Sequence, residues 1–146
     1  MSYIHRIAVS QDYRCCYCDH TMIRHIQVDG KPVPRNSLTK DHVEPRVYGG
    51  LTQVDNIVAA CRLCNNLRGE MEAVAFFNLL QKWFKRDKTL RARWHCITKE
   101  ELDAFKLRCI QTHERQLRGL AIKYVEHKVH HIIFLHHWRH KLVKRA

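Results

Sequence analysis

Residues 38–71 read LTKDHVEPRVYGGLTQVDNIVAACRLCNNLRGEM, and the order of patterns in this stretch decides the fold. Ser37 to Val43 and Asn56 to Ala60 are short runs of β-branched or apolar residues, the composition of strands. Tyr48, Gly49, Gly50 and Thr52 lie between them, so the pattern predicts two antiparallel strands joined by a long loop. A short helix should open around Cys61 to Cys64 and stop at Gly69, since glycine readily takes the left-handed backbone that ends helices. A second helix is expected from about Glu70 to Lys85, where Val74, Phe77, Leu80 and Phe84 recur at helical spacing.

Cysteines tie this stretch to what precedes it. Cys61 and Cys64 form one CxxC, and Cys15 and Cys18 form another. A tight CxxC turn presents two sulfurs and nearby backbone amides to one ion, so two such knuckles complete a closed tetrahedral Zn²⁺ site of structural type. Cys16 competes with Cys15, but the two-residue gap favours Cys15. The pairs are separated by 42 residues, far more than a simple zinc finger encloses, so the ion would staple an N-terminal knuckle to the start of the short helix with the strand pair folded between. Cys96 and Cys109 lack such partners and read as packed thiols.

Composition narrows the function. The chain has 146 residues with 26 basic and 14 acidic side chains, a net charge of +12, which calls for an anionic partner. At 45% hydrophobic it can build a core, which excludes disorder throughout. Ala73 to Phe77 and Ile132 to Leu135 are the longest apolar runs, too short to cross a bilayer, and the start MSYIHRIAVSQDYR has no signal-peptide core. A cytoplasmic protein is expected, with no membrane association, in a reducing compartment where paired cysteines more often hold metal than form disulfides. Residues 1–70 carry 9 basic and 7 acidic residues, whereas 98–146 carry 11 and 5. Chemistry is thus concentrated in front and charge behind, and the expected division is a 1–97 domain followed by a 98–146 basic, histidine-rich helical extension.

Asp41 and His42 at a strand end, a glycine pair in the loop, Asn56 fourteen residues after His42 and Asn65 directly after the second CxxC resemble the HNH nucleases. The similarity covers roughly residues 6–70. It implies an α+β fold with a small ββα-metal (His-Me finger) core, and the activity of a DNA endonuclease leaving 5′-phosphate and 3′-hydroxyl ends. Homing, phage genome processing, restriction and bacterial defence all use such domains. At the third motif position many members have histidine where this chain has Asn65, a pattern also found in active members. The family's asparagine at Asn56 holds the histidine strand in place, which implies an orienting role.

The chemistry also follows from the residue types. Phosphodiester hydrolysis needs an activated water, and His42 supplies an imidazole that titrates near operating pH. Asp41 and Asn65 offer hard oxygen ligands for one Mg²⁺ or Mn²⁺. Adjacent strand residues point to opposite sides, which would set a metal on one flank of the phosphate and a water on the other. Arg46, Arg62 and Arg68 are near enough in sequence to hold phosphates, though each reads equally well as a solvated charge. The competing function is a catalytically inactive zinc-containing DNA-binding module on the same fold. A zinc-bearing protein-interaction adaptor explains the cysteines but neither the charge nor the AspHis pair.

Thr98 and Glu101 form a capping box that opens a further helix. Beyond it Leu102, Phe105, Cys109, Leu117, Leu120, Tyr124, Ile132, Leu135 and Leu142 make an imperfect helical stripe, which should pack on the 70–85 helix or on a second subunit, as in a homodimer. His127, His130, His131, His136, His137 and His140 are interleaved with Lys128, Arg139 and Lys141 and read as a solvated basic face or a surface for DNA, expected to be double-stranded, rather than a further metal site.

Overall fold

The structure is a computed structural model and describes residues 2–44 and 54–115. Arg46, the glycine-pair loop and the tail beyond residue 115 lie outside the described residues. Helix α1 (Tyr3–Ser10) is followed by the Cys15–Cys18 knuckle and an irregular segment, then by strands β1 (Leu38–His42) and β2 (Ile57–Cys61). Helix α2 (Arg62–Arg68) continues directly from β2, α3 (Ala73–Arg86) follows, and helix α4 occupies 99–115. No helix among the described residues is long and apolar enough to cross a membrane.

β1 and β2 pair antiparallel, with Leu38 opposite Cys61, Asp41 opposite Val58 and His42 opposite Ile57. β2 is buried along its whole length, which explains its unbroken apolar run. Its outer edge is closed by Gln11, whose Nε2 donates to the Ala59 carbonyl at 2.9 Å and whose Oε1 accepts from the Ala59 amide at 3.0 Å. Together with the Cys16 amide, which donates to the same carbonyl at 3.2 Å, the Gln11 side chain satisfies backbone groups that would otherwise cost stability.

Helix α2 stops where expected, with Gly69 at φ 54° and its amide donating to the Asn65 carbonyl. α3 begins later than Glu70, because the Met71 amide donates to the Arg68 carbonyl and uses residues 69–72 in the turn. Its buried residues are Ala73, Phe76, Leu80, Trp83 and Phe84, while Val74 and Phe77 are only partly buried. Leu80 and Phe84 face inward as expected, while Ala73 and Phe76 replace Val74 and Phe77 and Trp83 joins the stripe, pointing at the buried Trp94 and at Phe105. The Thr98–Glu101 box forms as read, with the Glu101 amide donating to Thr98 Oγ1 at 3.1 Å. Leu102, Phe105 and Cys109 seat α4 on the same core, Phe105 stacking on Trp83 at 4.4 Å between ring centroids. Of the two packing partners expected for the stripe, the described part of α4 thus uses α3. Cys109 is a buried thiol, but Cys96 is exposed, because it lies at the end of a short 3-10 turn whose inward residue is Trp94.

Candidate nuclease site and thiol cluster

Cys15, Cys18, Cys61 and Cys64 are all buried, and their sulfurs lie within 4.8 Å of one another. The Cys18 and Cys61 sulfurs are 3.8 Å apart. That matches the edge of a tetrahedron of thiolates about 2.3 Å from a central ion, which is about 3.8 Å. The backbone amides of Tyr17 and Cys64 donate to the Cys15 and Cys61 sulfurs at 3.4 Å, and Trp94 Nε1 donates to the Cys64 sulfur at 3.3 Å. Burial raises the Cys18 and Cys64 thiols well above their ordinary range. It opposes ionisation of Cys15 too, yet thiols donated by Cys16, Cys18, Cys61 and Cys64 hold Cys15 well below that range. Without a cation the cluster favours one thiolate among buried thiols, and a soft divalent ion such as Zn²⁺ compensates all four. The donor set fits zinc, and Cys15 rather than Cys16 belongs to it.

The cluster sits at the junction of β2 and α2, so it fixes where α2 starts and with it Asn65. Asn65 Nδ2 donates to Thr39 Oγ1 at 2.9 Å and to the Lys40 carbonyl at 3.2 Å, which ties α2 across β1. Asn56 Oδ1 accepts from the Glu44 amide at 2.8 Å while its Nδ2 donates to the Glu44 carbonyl at 3.1 Å. Both functions of that amide therefore pin the chain two residues beyond His42. His42 is the last residue of β1 and is part-exposed, whereas its neighbour Asp41 is buried.

Asp41 is paired inside the fold. It is 5% exposed, and Arg68 Nη1 lies 2.7 Å from both of its carboxylate oxygens. Tyr17 Oη donates to Oδ2 at 2.5 Å. Arg68 is itself 2% exposed and spends its other donors on the carbonyls of Met71, His42 and Val43, each at 2.7 Å. Burial works against its charge, but Asp41 more than compensates and raises the guanidinium further above its ordinary range. This pairing bears on two of the expected roles. Arg68 faces the interior rather than a phosphate, and Asp41 is the anion that a buried guanidinium requires. Asn65 Oδ1 is a fitting oxygen donor for a hard ion, whereas both Asp41 oxygens are engaged by Arg68 in this structure.

Arg62 is half-buried, with Nη1 3.4 Å from the Val33 carbonyl. Sequence reasoning overlooked Tyr17, Gln11 and Trp94. It also misread Arg68, although a signal was present: Arg68 follows Cys64 by four residues, so it shares the face of α2 that the inward thiol defines.

Two antiparallel strands run into a helix whose start is gathered with an N-terminal knuckle by four clustered thiols, a ββα arrangement. Residues 15–70 match the family model described as HNH endonuclease. That range starts at the first cluster cysteine and ends just after the α2 cap, and it contains Asp41, His42, Asn56 and Asn65. The search of curated proteins and the search of solved structures each returned no match.

Proposed function

We propose that this protein is an endonuclease that hydrolyses phosphodiester bonds of double-stranded DNA, with His42 as general base. The observation that supports this best is the clamp on the His42 strand end: Asn56 holds the backbone at residue 44 from both sides, and Arg68 holds the carbonyls of His42 and Val43. A base acts efficiently only when its geometry is fixed before the reaction. His42 takes the proton from the attacking water, and Asn56 and Arg68 are positioning residues that act through it. Asn65 stands on the flank opposite the imidazole, on the side of the strand that carries Thr39. A Mg²⁺ or Mn²⁺ ion, where bound, supplies charge stabilisation at the phosphate and leaving oxygen. Among the described residues Asn65 Oδ1 would help hold it, and so would Asp41 if the Arg68 pair opens.

The second reading is a DNA-binding module without catalysis, and the burial of Asp41 favours it. Nicking of supercoiled plasmid with Mg²⁺, Mn²⁺ or EDTA separates the two. His42→Ala should lower the cleavage rate by about 10² to 10⁴, with zinc content, melting temperature and DNA affinity near wild type, because a general base contributes to the transition state rather than to ground-state binding. Wild-type protein inert under every divalent ion gives the binding-module reading first place.

A further inference from the structure

An open cavity of about 390 Å³ lies between α1 and β1, lined among others by Tyr3, His5, Arg24, His25, Thr39 and Lys40. No acidic side chain lines it. Among the described residues Arg24 and Lys40 form no salt bridge, and the Lys40 ammonium lies 5.4 Å from the centroid of the Tyr3 ring. Both are exposed, so their charges are available to a ligand. Two polar atoms of the same lining, Tyr3 Oη and His25 Nε2, are shielded from solvent and have no hydrogen-bond partner. Such atoms cost stability unless something else satisfies them. Lys40 shares its face of β1 with His42, two residues and about 6.6 Å along the strand.

We propose that this groove seats a backbone phosphate of the bound polynucleotide strand, next to the one attacked, with Arg24 and Lys40 neutralising it and Tyr3 and His25 hydrogen-bonding to it. The geometry moves phosphate recognition away from Arg68, which is enclosed, to the face that carries the imidazole. Two cations and two polar groups with no competing carboxylate suit a phosphodiester oxygen pair better than a neutral or cationic ligand. This placement next to the cleaved bond rests on the nuclease reading, whereas the groove's affinity for phosphate does not.

Binding of a fluorescent DNA duplex by the full chain, measured by anisotropy from 50 to 300 mM salt, tests the proposal. The double variant Arg24→Gln/Lys40→Gln should reduce the magnitude of the log K against log salt slope by about 0.9 for one phosphate contact, and weaken binding about five-fold at 150 mM salt. Lys85→Gln on α3 removes one exposed charge elsewhere and should leave the slope unchanged. Tyr3→Phe should weaken binding about two- to ten-fold at constant slope, since a neutral hydrogen bond is lost. It should also raise the melting temperature of the free protein, because a shielded hydroxyl without a partner is removed. In plasmid cleavage the double variant should raise KM and keep kcat. A double variant with wild-type slope, or one that loses kcat at unchanged KM, overturns the groove. Wild type that binds duplex without cutting it overturns the nuclease reading while the slope comparison still decides the groove.

Discussion

Replacing Asp41 with alanine separates two roles for this carboxylate that activity alone cannot distinguish. The carboxylate lies 2.7 Å from Arg68 Nη1 through both oxygens and accepts from Tyr17 Oη at 2.5 Å. Removing it leaves a guanidinium that is 2% exposed without its anion. Breaking a buried pair from one side costs about 3–5 kcal/mol, against a total stability of about 5–15 kcal/mol for a domain. The expected fall in melting temperature is roughly 10–15 °C for a chain of this size. Arg68→Met should cost at least as much, since it also abandons the carbonyls of His42, Val43 and Met71. The double variant Asp41→Leu/Arg68→Met should recover the charge part of the loss and not the carbonyl part, giving a favourable coupling in a double-mutant cycle. Urea unfolding at fixed free zinc is the assay, because zinc binding is linked to folding. If Asp41→Ala unfolds within about 0.5 kcal/mol of wild type, as expected for an exposed side chain, and its cleavage defect is recovered by raising Mn²⁺, the counter-ion assignment is wrong and Asp41 is an ion ligand.

Purified protein should contain one zinc per chain, and Cys64→Ser should lose both the metal and cooperative unfolding, since this thiol joins β2, α2 and Trp94; elemental analysis and near-UV circular dichroism read both. Residues 98–115 carry four basic and four acidic side chains, whereas 116–146 carry seven basic and one acidic. Deleting 116–146 should therefore flatten the salt dependence of duplex binding by about 0.9 per lost phosphate contact, while thermal melting stays near wild type because Leu102, Phe105 and Cys109 are retained. An unchanged slope would assign the tail to association between chains. Hydrogen bonds from Thr89, then from Arg93, lower the Asp87 carboxyl to about 2. Its folded value is below its unfolded one, so its stabilising contribution is present above about pH 4 and lost as pH falls through about 2. The destabilisation by Asp87→Ala should accordingly be seen at pH 6 and vanish near pH 2, and an equal effect at both would refute the assignment.

Features written in short spacings were legible in the sequence. Two CxxC pairs named the four thiols that the structure gathers, β-branched runs marked both strands within a residue or two, and Gly69 and the Thr98–Glu101 box marked a helix end and a helix start. Each depends on neighbours within a few positions, where dihedral preference and ligand spacing act directly. α1 was overlooked although Ile4, Ile7 and Ala8 sit at helical spacing, because two turns give too little period to stand out. What tertiary structure alone decided is where polar groups go once the chain closes. Asp41 meets Tyr17 across 24 positions and Arg68 across 27, and Gln11 meets Ala59 across 48. A carboxylate, a guanidinium and an amide that look solvated in sequence become interior because burial in low dielectric obliges each to find a partner. Which partner it finds is fixed by the thiol cluster that draws the N-terminal knuckle, β2 and α2 together.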